Sequence, residues 1–208
     1  MIELLTADTP NGKKISIMLE EINLEYKVTK ININKDEQFK PEFKKLSPFS
    51  KIPVIIDHDN KTSLFESGAI LIYLGEKSGK FYEKNQRTKI NQWLMAQIGY
   101  IGPMLGQHHQ FHHYNPGKSE FGEKRYFKIA KRIYQELDER LAVTKFLAGN
   151  DYSIADIATF PWIARHEWHD IGLKKFMNLN KWYEEISKRQ AVQAGYDLLK
   201  KGEEIPKA

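Results

Sequence analysis

The chain contains no cysteine among its 208 residues. Disulfide bonds therefore cannot stabilise the fold, and any thiol chemistry must use a sulfur that a ligand supplies. Long apolar runs are also missing. No stretch reaches the length of about 18 apolar residues that a transmembrane helix needs, so we expect no membrane association. The sequence MIELLTADTP lacks the basic start and the apolar segment of a secretory signal, so we expect a cytoplasmic protein.

The chain also lacks a cluster of charge of one sign. It carries 32 Lys and Arg against 27 Asp and Glu, which gives a formal net charge of +5. The lysines form scattered pairs close to acidic residues, at Lys13–Lys14, Lys44–Lys45, Lys174–Lys175 and Lys200–Lys201. Nucleic-acid-binding proteins usually gather such charge on one stripe. We therefore expect no nucleic-acid partner and only a mild attraction for small anions.

Two different periodicities divide the chain. Residues 1–80 read as strand, helix, strand, helix, strand, strand, helix, which predicts an α/β domain with a parallel half and an antiparallel hairpin. Residues 86–208 show only helical periodicity, beginning with a long helix whose apolar face starts at Ile90. Gly102–Pro103 is predicted to kink or end that helix. The fold class is therefore α/β followed by all-α.

The stretch DTPNG, close to the start of the chain, predicts the N-terminus of a helix. Thr9 is a good N-cap, and Pro10 suits the first helical position because its missing N–H would be unpaired there. The positive end of the helix dipole would then lie beside the Thr9 hydroxyl and the Asn11 amide. Such a place stabilises anions, including thiolates. A helix cap with no further role is the alternative.

Two further stretches contain candidate binding groups. In SKIPVI, a cis Ile52–Pro53 bond would present the N–H and C=O of Ile52 to an extended peptide ligand, whereas a trans proline would only start a strand. In FESGAI, Glu66 can bind an amine, and Ser67 can hold a carboxylate at the start of a helix. A simple capping arrangement is the alternative for this pair.

Five stretches occur in order along nearly the whole chain: TPNGKK, PEFKKLSPFSKIPVI, LFESGAILIYL, GPMLGQ and YSIADI. Together they resemble the glutathione transferase superfamily. More narrowly, they resemble its bacterial Nu class, the glutathione-dependent disulfide-bond oxidoreductases without a catalytic cysteine. The resemblance implies an N-terminal thioredoxin-like domain, an all-helical C-terminal domain, and a homodimer whose helical domains meet near a two-fold axis.

The resemblance also implies roles for individual residues. Thr9 and Asn11 match the catalytic pair that faces the thiol, with Thr9 standing where related classes have serine or cysteine. Leu5 and Thr6 occupy the place of the strand-end tyrosine of other classes. The positions implied to bind glutathione are Asn11, Gln38, Lys51 at the glycyl carboxylate, Ile52 before cis-Pro53 at the cysteinyl backbone, Glu66 and Ser67 at the γ-glutamyl group, and Arg125 as a basic contact.

The implied activity is reduction of disulfides by thiol–disulfide exchange with bound glutathione, reduced or oxidised, as the co-substrate and without a metal. Two alternatives remain open. The same activated sulfur could be conjugated to an electrophile, or the chain could be a non-catalytic binding protein of the same fold. The presence of Thr9, Asn11, Glu66 and Ser67 argues against the last reading.

Two motifs in the second domain concern stability and charge. GQHHQFHHY holds His108, His109, His112 and His113, and a spacing of four residues on a helix can bind a metal. Because no Asp or Glu follows before Glu120, we predict no metal. We expect instead a place at a pocket rim or helix end, where partial protonation near neutral pH would add positive charge. YSIADI predicts a capping box that stabilises a helix.

Overall fold

The computed structural model describes the chain from Met1 to Ala208, which forms two compact units. The first unit contains Met1–Tyr82 and Arg189–Glu204, and the second contains Glu83–Lys188 and Ile205–Ala208. An α/β unit therefore precedes an all-helical one, and the predicted fold class is confirmed. No helix in either unit combines the length and the apolar character that a membrane crossing would require.

The first unit is built on a four-stranded sheet with the order β2–β1–β3–β4, in which only β1 and β2 are parallel. The strands are β1 Ile2–Thr6, β2 Tyr26–Lys30, β3 Val54–Asp57 and β4 Thr62–Phe65. The helices are α1 Pro10–Ile22, α2 Pro41–Leu46 and α3 Ser67–Ser78, with short 3-10 turns at Ile33–Lys35 and Glu37–Phe39. This is the thioredoxin-like arrangement that the resemblance implied.

The sheet of the first unit is covered on both faces. Successive residues of a strand point to opposite faces. Leu5 packs in an apolar cluster with Phe43 of α2 and Val54 of β3. Leu4 therefore faces the other side of the sheet, and it is fully buried there. Burial on both faces explains why β1 reads as a nearly continuous apolar run.

The first unit is completed by helix α10, Gln190–Asp197, from the far end of the chain. The predicted domain ranges, 1–80 and 86–208, place this segment in the second domain, whereas the structure places Arg189–Glu204 in the first unit. Gly195 allows α10 to approach α1 closely, since a Cβ added at Gly195 would lie 2.5 Å from the Cα of Ile17. The Ser16 hydroxyl donates to the Gly195 carbonyl at 2.6 Å. Helical periodicity shows which face of a helix is buried, but it does not show which unit covers that face.

The second unit is entirely helical. Its helices are α4 Arg87–Ala96, α5 Gly102–His108, α6 Glu120–Val143, α7 Ile154–Ile163, α8 His166–His169 and α9 Met177–Ser187, with π-helical stretches at Gln97–Ile101 and His109–Tyr114. The first long helix does not end at Gly102–Pro103. Pro103 lies in the first turn of α5. It directly follows the π-helical stretch Gln97–Ile101, in which the backbone hydrogen bonds join residues five apart instead of four.

The predicted capping box of YSIADI is confirmed at the start of α7. The Ser153 hydroxyl accepts from the N–H of Ala155 at 3.3 Å, and the Asp156 carboxylate accepts from the N–H of Ser153 at 3.1 Å. Asp156 is fully buried, and its other carboxylate oxygen accepts from the Leu147 N–H and from the Trp182 indole N–H. The motif therefore also joins α7 to the loop before it and to α9.

Candidate functional site

The register of the sheet brings the predicted site residues of the first unit to one edge. Leu5 at the end of β1 pairs with Val54 at the start of β3, and Val54 pairs with Phe65 at the end of β4. Thr6 pairs with Lys30, the last residue of β2. The chain segments that continue from these four positions carry Thr9, Gln38, Ile52–Pro53 and Glu66–Ser67. These four segments therefore start from the same edge of the sheet, from which the chain also enters α1.

Thr9 is the N-cap of α1, as predicted. Its backbone is extended, with φ −143°, and its hydroxyl accepts from the Gly12 N–H at 3.1 Å. The hydroxyl proton of Thr9 makes no hydrogen bond within the chain. Thr9 and Asn11 are both half-buried. An unused O–H donor at the positive end of a helix is suited to a thiolate or another anion.

The Ile52–Pro53 peptide bond is cis, so the trans alternative is wrong. Ser47 holds the preceding loop, because its hydroxyl donates to the Lys51 carbonyl at 2.8 Å and accepts from the Lys51 N–H at 3.1 Å. The N–H and C=O of Ile52 make no hydrogen bond within the chain. This segment therefore offers one backbone donor and one acceptor to an extended ligand. The Lys51 side chain is exposed.

Glu66 and Ser67 form the turn between β4 and α3. Glu66 has φ 70° and ψ 115°, a conformation that is rare for a residue with a side chain and is enriched at functional sites. Its side chain is exposed, whereas Ser67 is buried. The Ser67 hydroxyl accepts from the Lys14 ammonium, with 3.3 Å between Oγ and Nζ. The proton of that hydroxyl makes no hydrogen bond within the chain, so it is available to a ligand.

Gln38 lies in the 3-10 turn before α2 and is half-buried. Its Nε2 donates to the Ile33 carbonyl at 3.4 Å, while its buried Oε1 has no hydrogen-bond partner. A buried acceptor without a donor is costly, and a ligand N–H would satisfy it. Arg125 lies on α6 in the second unit and is exposed, with its guanidinium carbon 5.9 Å from the centre of the Tyr126 ring. Its contact with glutathione stays a prediction.

Family models of known proteins match both parts of the chain. The family model of the glutathione S-transferase N-terminal domain matches residues 3–76, and that of the C-terminal domain matches residues 103–190. The chain belongs to the glutathione S-transferase family. The first match spans the sheet, α1 and most of α3 of this transferase, and therefore every predicted site residue except Arg125.

Several relatives of this transferase are similar over nearly their whole length. Disulfide-bond oxidoreductase YfcG of Escherichia coli strain K12 is 44% identical over 207 residues, which cover 96% of this chain and 95% of YfcG. A solved glutathione transferase of Burkholderia graminis, with two glutathione molecules bound per subunit, is 38% identical with a TM-score of 0.90, covering 97% and 89% of the two chains. A Pseudomonas putida glutathione transferase, with one glutathione disulfide bound per subunit, is 40% identical with a TM-score of 0.88, covering 97% and 92%.

Sequence reasoning missed two buried lysines on α1 of this transferase. The Lys13 ammonium lies 3.0 Å from the Asp8 carboxylate and 2.6 Å from the Glu203 carboxylate, and its side chain is 1% exposed. Lys14 is also 1% exposed and contacts Ser67. From the sequence, the pair reads as one of several scattered lysine pairs close to acidic residues. The structure buries every residue of α1 from Gly12 to Leu19, which the mixed polar and apolar sequence of that stretch does not indicate.

Two of the four histidines in the cluster are buried and packed against other side chains, so the expectation of partial protonation is wrong for these two. His108 and His109 are buried, with exposures of 0% and 5%. Burial lowers the pKa of both imidazoles, that of His109 to about 3, so both rings are neutral near pH 7. The His109 ring stacks on His169 at 4.7 Å between centres. The side chains of this transferase form no group of three His, Asp or Glu with the geometry of a metal site.

Proposed function

We propose that this member of the glutathione S-transferase family binds glutathione at the sheet edge of the first unit and uses the sulfur of that ligand to reduce disulfides. The observation that carries the proposal is the unused Thr9 hydroxyl proton at the positive end of α1, in a chain that has no cysteine. A thiolate accepting from Thr9 and facing the helix dipole has a lowered pKa. The 44% identity with a protein named a disulfide-bond oxidoreductase supports the same reaction.

Each part of glutathione has a matching group at this edge. The cysteinyl N–H and C=O pair with the free backbone groups of Ile52, as in the addition of a short strand. The γ-glutamyl carboxylate accepts from the Ser67 hydroxyl and the N-terminus of α3, while its ammonium lies near the Glu66 carboxylate. The remaining proposed contacts are those of Asn11 near the sulfur, the buried Gln38 oxygen with a ligand N–H, Lys51 with the glycyl carboxylate, and Arg125.

The reaction proceeds by two exchanges of sulfur. The thiolate of bound glutathione attacks one sulfur of the substrate disulfide, forms a mixed disulfide and releases the other sulfur as a thiolate. A second glutathione thiolate attacks the glutathione sulfur of the mixed disulfide. Glutathione disulfide forms, and the second substrate thiolate leaves. Two glutathione molecules supply the two electrons, and the released thiolates take up protons from solvent. The protein contributes position and electrostatics, while glutathione provides the chemistry.

The relatives support a site that accommodates both the reductant and its product. The Burkholderia graminis structure holds two glutathione molecules per subunit, and the Pseudomonas putida structure holds one glutathione disulfide per subunit. Those ligands correspond to the two glutathiones before exchange and to the disulfide after it. We also propose that the protein is a homodimer of the Nu class and acts in the cytoplasm; the threonine at position 9 and the absence of cysteine support the class assignment.

The proposal is tested by comparing two reactions of the purified protein with glutathione. The first substrate is a small hydroxyalkyl disulfide, and the second is a chlorinated dinitroaromatic. Reduction of the disulfide with slow conjugation supports the proposed function. Rapid conjugation without disulfide reduction would show the transferase alternative instead. Calorimetric binding of glutathione or its disulfide with turnover of neither substrate would indicate a binding protein.

Replacing Thr9 by alanine is expected to lower disulfide turnover by about 100-fold, because the reacting sulfur loses a hydrogen-bond donor. The cost in stability should be only about 0.5–2 kcal/mol, since one N-cap is lost. Steady-state kinetics and urea unfolding measure the two effects. Thr9→Ser keeps the hydroxyl and should retain turnover within about threefold. Unchanged turnover in Thr9→Ala would remove this side chain from the catalytic site.

Replacing Ser67 by alanine is expected to weaken glutathione binding by about 10- to 100-fold, the usual cost of a hydrogen bond to a charged group. The rate at saturating glutathione should change little, because Ser67 binds the end of the ligand remote from the sulfur. Titration calorimetry gives the dissociation constant. Ser78→Ala is the matched control, since Ser78 lies at the opposite end of α3 and its hydroxyl bonds only to backbone groups, donating to the Leu74 carbonyl and accepting from the Lys80 N–H. Equal affinities of both variants would contradict the assignment of Ser67.

A further inference from the structure

Lys14 is the most unusual charged residue of the first unit. It lies on the first turns of α1, and its side chain is 1% exposed. Lysine is almost never fully buried without a functional or structural reason, because its ammonium loses hydration. The ammonium is within hydrogen-bond distance of the Ser67 hydroxyl at the first residue of α3. A buried cation thus lies directly behind the group proposed to bind the γ-glutamyl carboxylate.

The hydrogen bond from Lys14 determines whether the Ser67 hydroxyl donates to a ligand or accepts from it. Because an ammonium only donates, the Ser67 oxygen must accept from Lys14, and the hydroxyl proton is left for another acceptor. A donor whose oxygen already accepts from a cation is polarised and makes a stronger hydrogen bond. The first N–H groups of α3 add a positive potential at the same place. An anionic acceptor such as a carboxylate fits these groups best.

We propose that Lys14 is a positioning residue of the γ-glutamyl site, whose ammonium orients the Ser67 hydroxyl and balances the charge of the bound α-carboxylate. This inference rests on the proposed function, since it assumes that Ser67 binds the γ-glutamyl group of glutathione. Lys14 does not touch the reacting sulfur. Its effect is therefore on the affinity for glutathione and on the pH dependence of that affinity.

A proton is expected to accompany the ligand into the site. Burial lowers the pKa of the Lys14 ammonium to about 7, although the nearby Glu66 carboxylate raises it. Glu66 is the charged group that faces Lys14 from the start of α3. On α1 itself, the Lys13 ammonium is turned to Asp8, Glu203 and the α10 carbonyl of Tyr196. A bound carboxylate favours the ammonium form, so above pH 7 the protein takes up a proton as the ligand binds.

The experiment measures the binding of S-methylglutathione, which has no thiol to titrate, in buffers with different heats of ionisation. Near pH 8 the wild-type protein should take up about 0.8 proton per ligand, and near pH 6 almost none. The dissociation constant should rise up to about tenfold between about pH 6 and pH 8, because more of the free protein must be protonated before binding. In Lys14→Met, binding at the lower pH should be about tenfold weaker and show neither proton uptake nor this pH dependence.

Lys13→Met is the matched control, because it removes an equally buried ammonium one residue earlier on α1. It should retain the proton uptake and the pH profile. If Lys14→Met fails to fold, Lys14→Gln replaces it in the test, because glutamine keeps a side-chain donor without a titrating charge. The Lys14→Gln protein should bind S-methylglutathione with an affinity that does not change with pH. Binding of S-methylglutathione to the wild type without proton uptake would overturn the role of Lys14 and leave the proposed function intact. No binding to the wild type would overturn the proposed glutathione site itself.

Discussion

Replacing Asp156 by alanine is expected to lower the free energy of unfolding by about 3–5 kcal/mol. The carboxylate accepts from the N–H groups of Leu147 and Ser153, from the Ser153 hydroxyl and from the Trp182 indole, at distances of 2.9–3.1 Å. Alanine would leave three buried N–H donors without an acceptor, each of which costs about 1–3 kcal/mol. Denaturant unfolding followed by circular dichroism measures the change.

Two further variants separate the capping contribution of Asp156 from its wider network. Ser153→Ala removes only the cap hydroxyl, and it should cost about 0.5–2 kcal/mol. Asp156→Asn keeps one carbonyl oxygen for Leu147 and Trp182 but replaces the other oxygen with a donor, so its cost should lie between the other two. A loss below about 1 kcal/mol in Asp156→Ala would show that the network adds little to stability.

Among substitutions of residues that are not predicted to bind glutathione, Gly12→Ala is expected to lower activity most. A Cβ at this position would lie 2.2 Å from the Ala7 carbonyl oxygen and 2.6 Å from the Thr6 hydroxyl. Because one of these contacts is backbone, the start of α1 must move away from the end of β1. The shift would displace Thr9 and Asn11, and a misplacement of about 1 Å can lower a rate by about 100-fold. The added strain should also cost about 1–3 kcal/mol of stability.

Gly99→Ala is a suitable control for the Gly12 substitution. A Cβ at Gly99 meets nothing within 4 Å, so the same chemical change should leave turnover and stability close to those of the wild type. Disulfide turnover and glutathione affinity are measured for both variants. A Gly12→Ala protein with wild-type turnover would show that the start of α1 can adjust without disturbing the reaction.

The features that the sequence predicted well depend on neighbours in sequence. The Thr9 cap and the capping box of Ser153 and Asp156 each involve groups within three residues of one another, and both are present. The periodicity that predicted the strands and helices is equally local. The resemblance to a known family added the cis bond before Pro53, which the residues alone had left open.

The features that were missed depend on partners far along the chain. Lys14 contacts α3 through Ser67, which is 53 positions later in the sequence. His108 is buried against His169, which is 61 positions away. The positive φ of Glu66 has no sequence signal, because glycine or asparagine is the usual residue there. Helical periodicity places a residue on a face but does not identify what covers that face.

The return of the chain to its first unit has a consequence for biosynthesis. The ammonium of Lys13 reaches the carbonyl of Tyr196, which is 183 positions later, and Gly195 fits against the backbone of Ile17. On a ribosome, the opening helix is therefore translated long before the segment that covers it. The first unit therefore cannot be complete until residue 204 has been made, and a gene fragment that stops at residue 82 would encode only part of it.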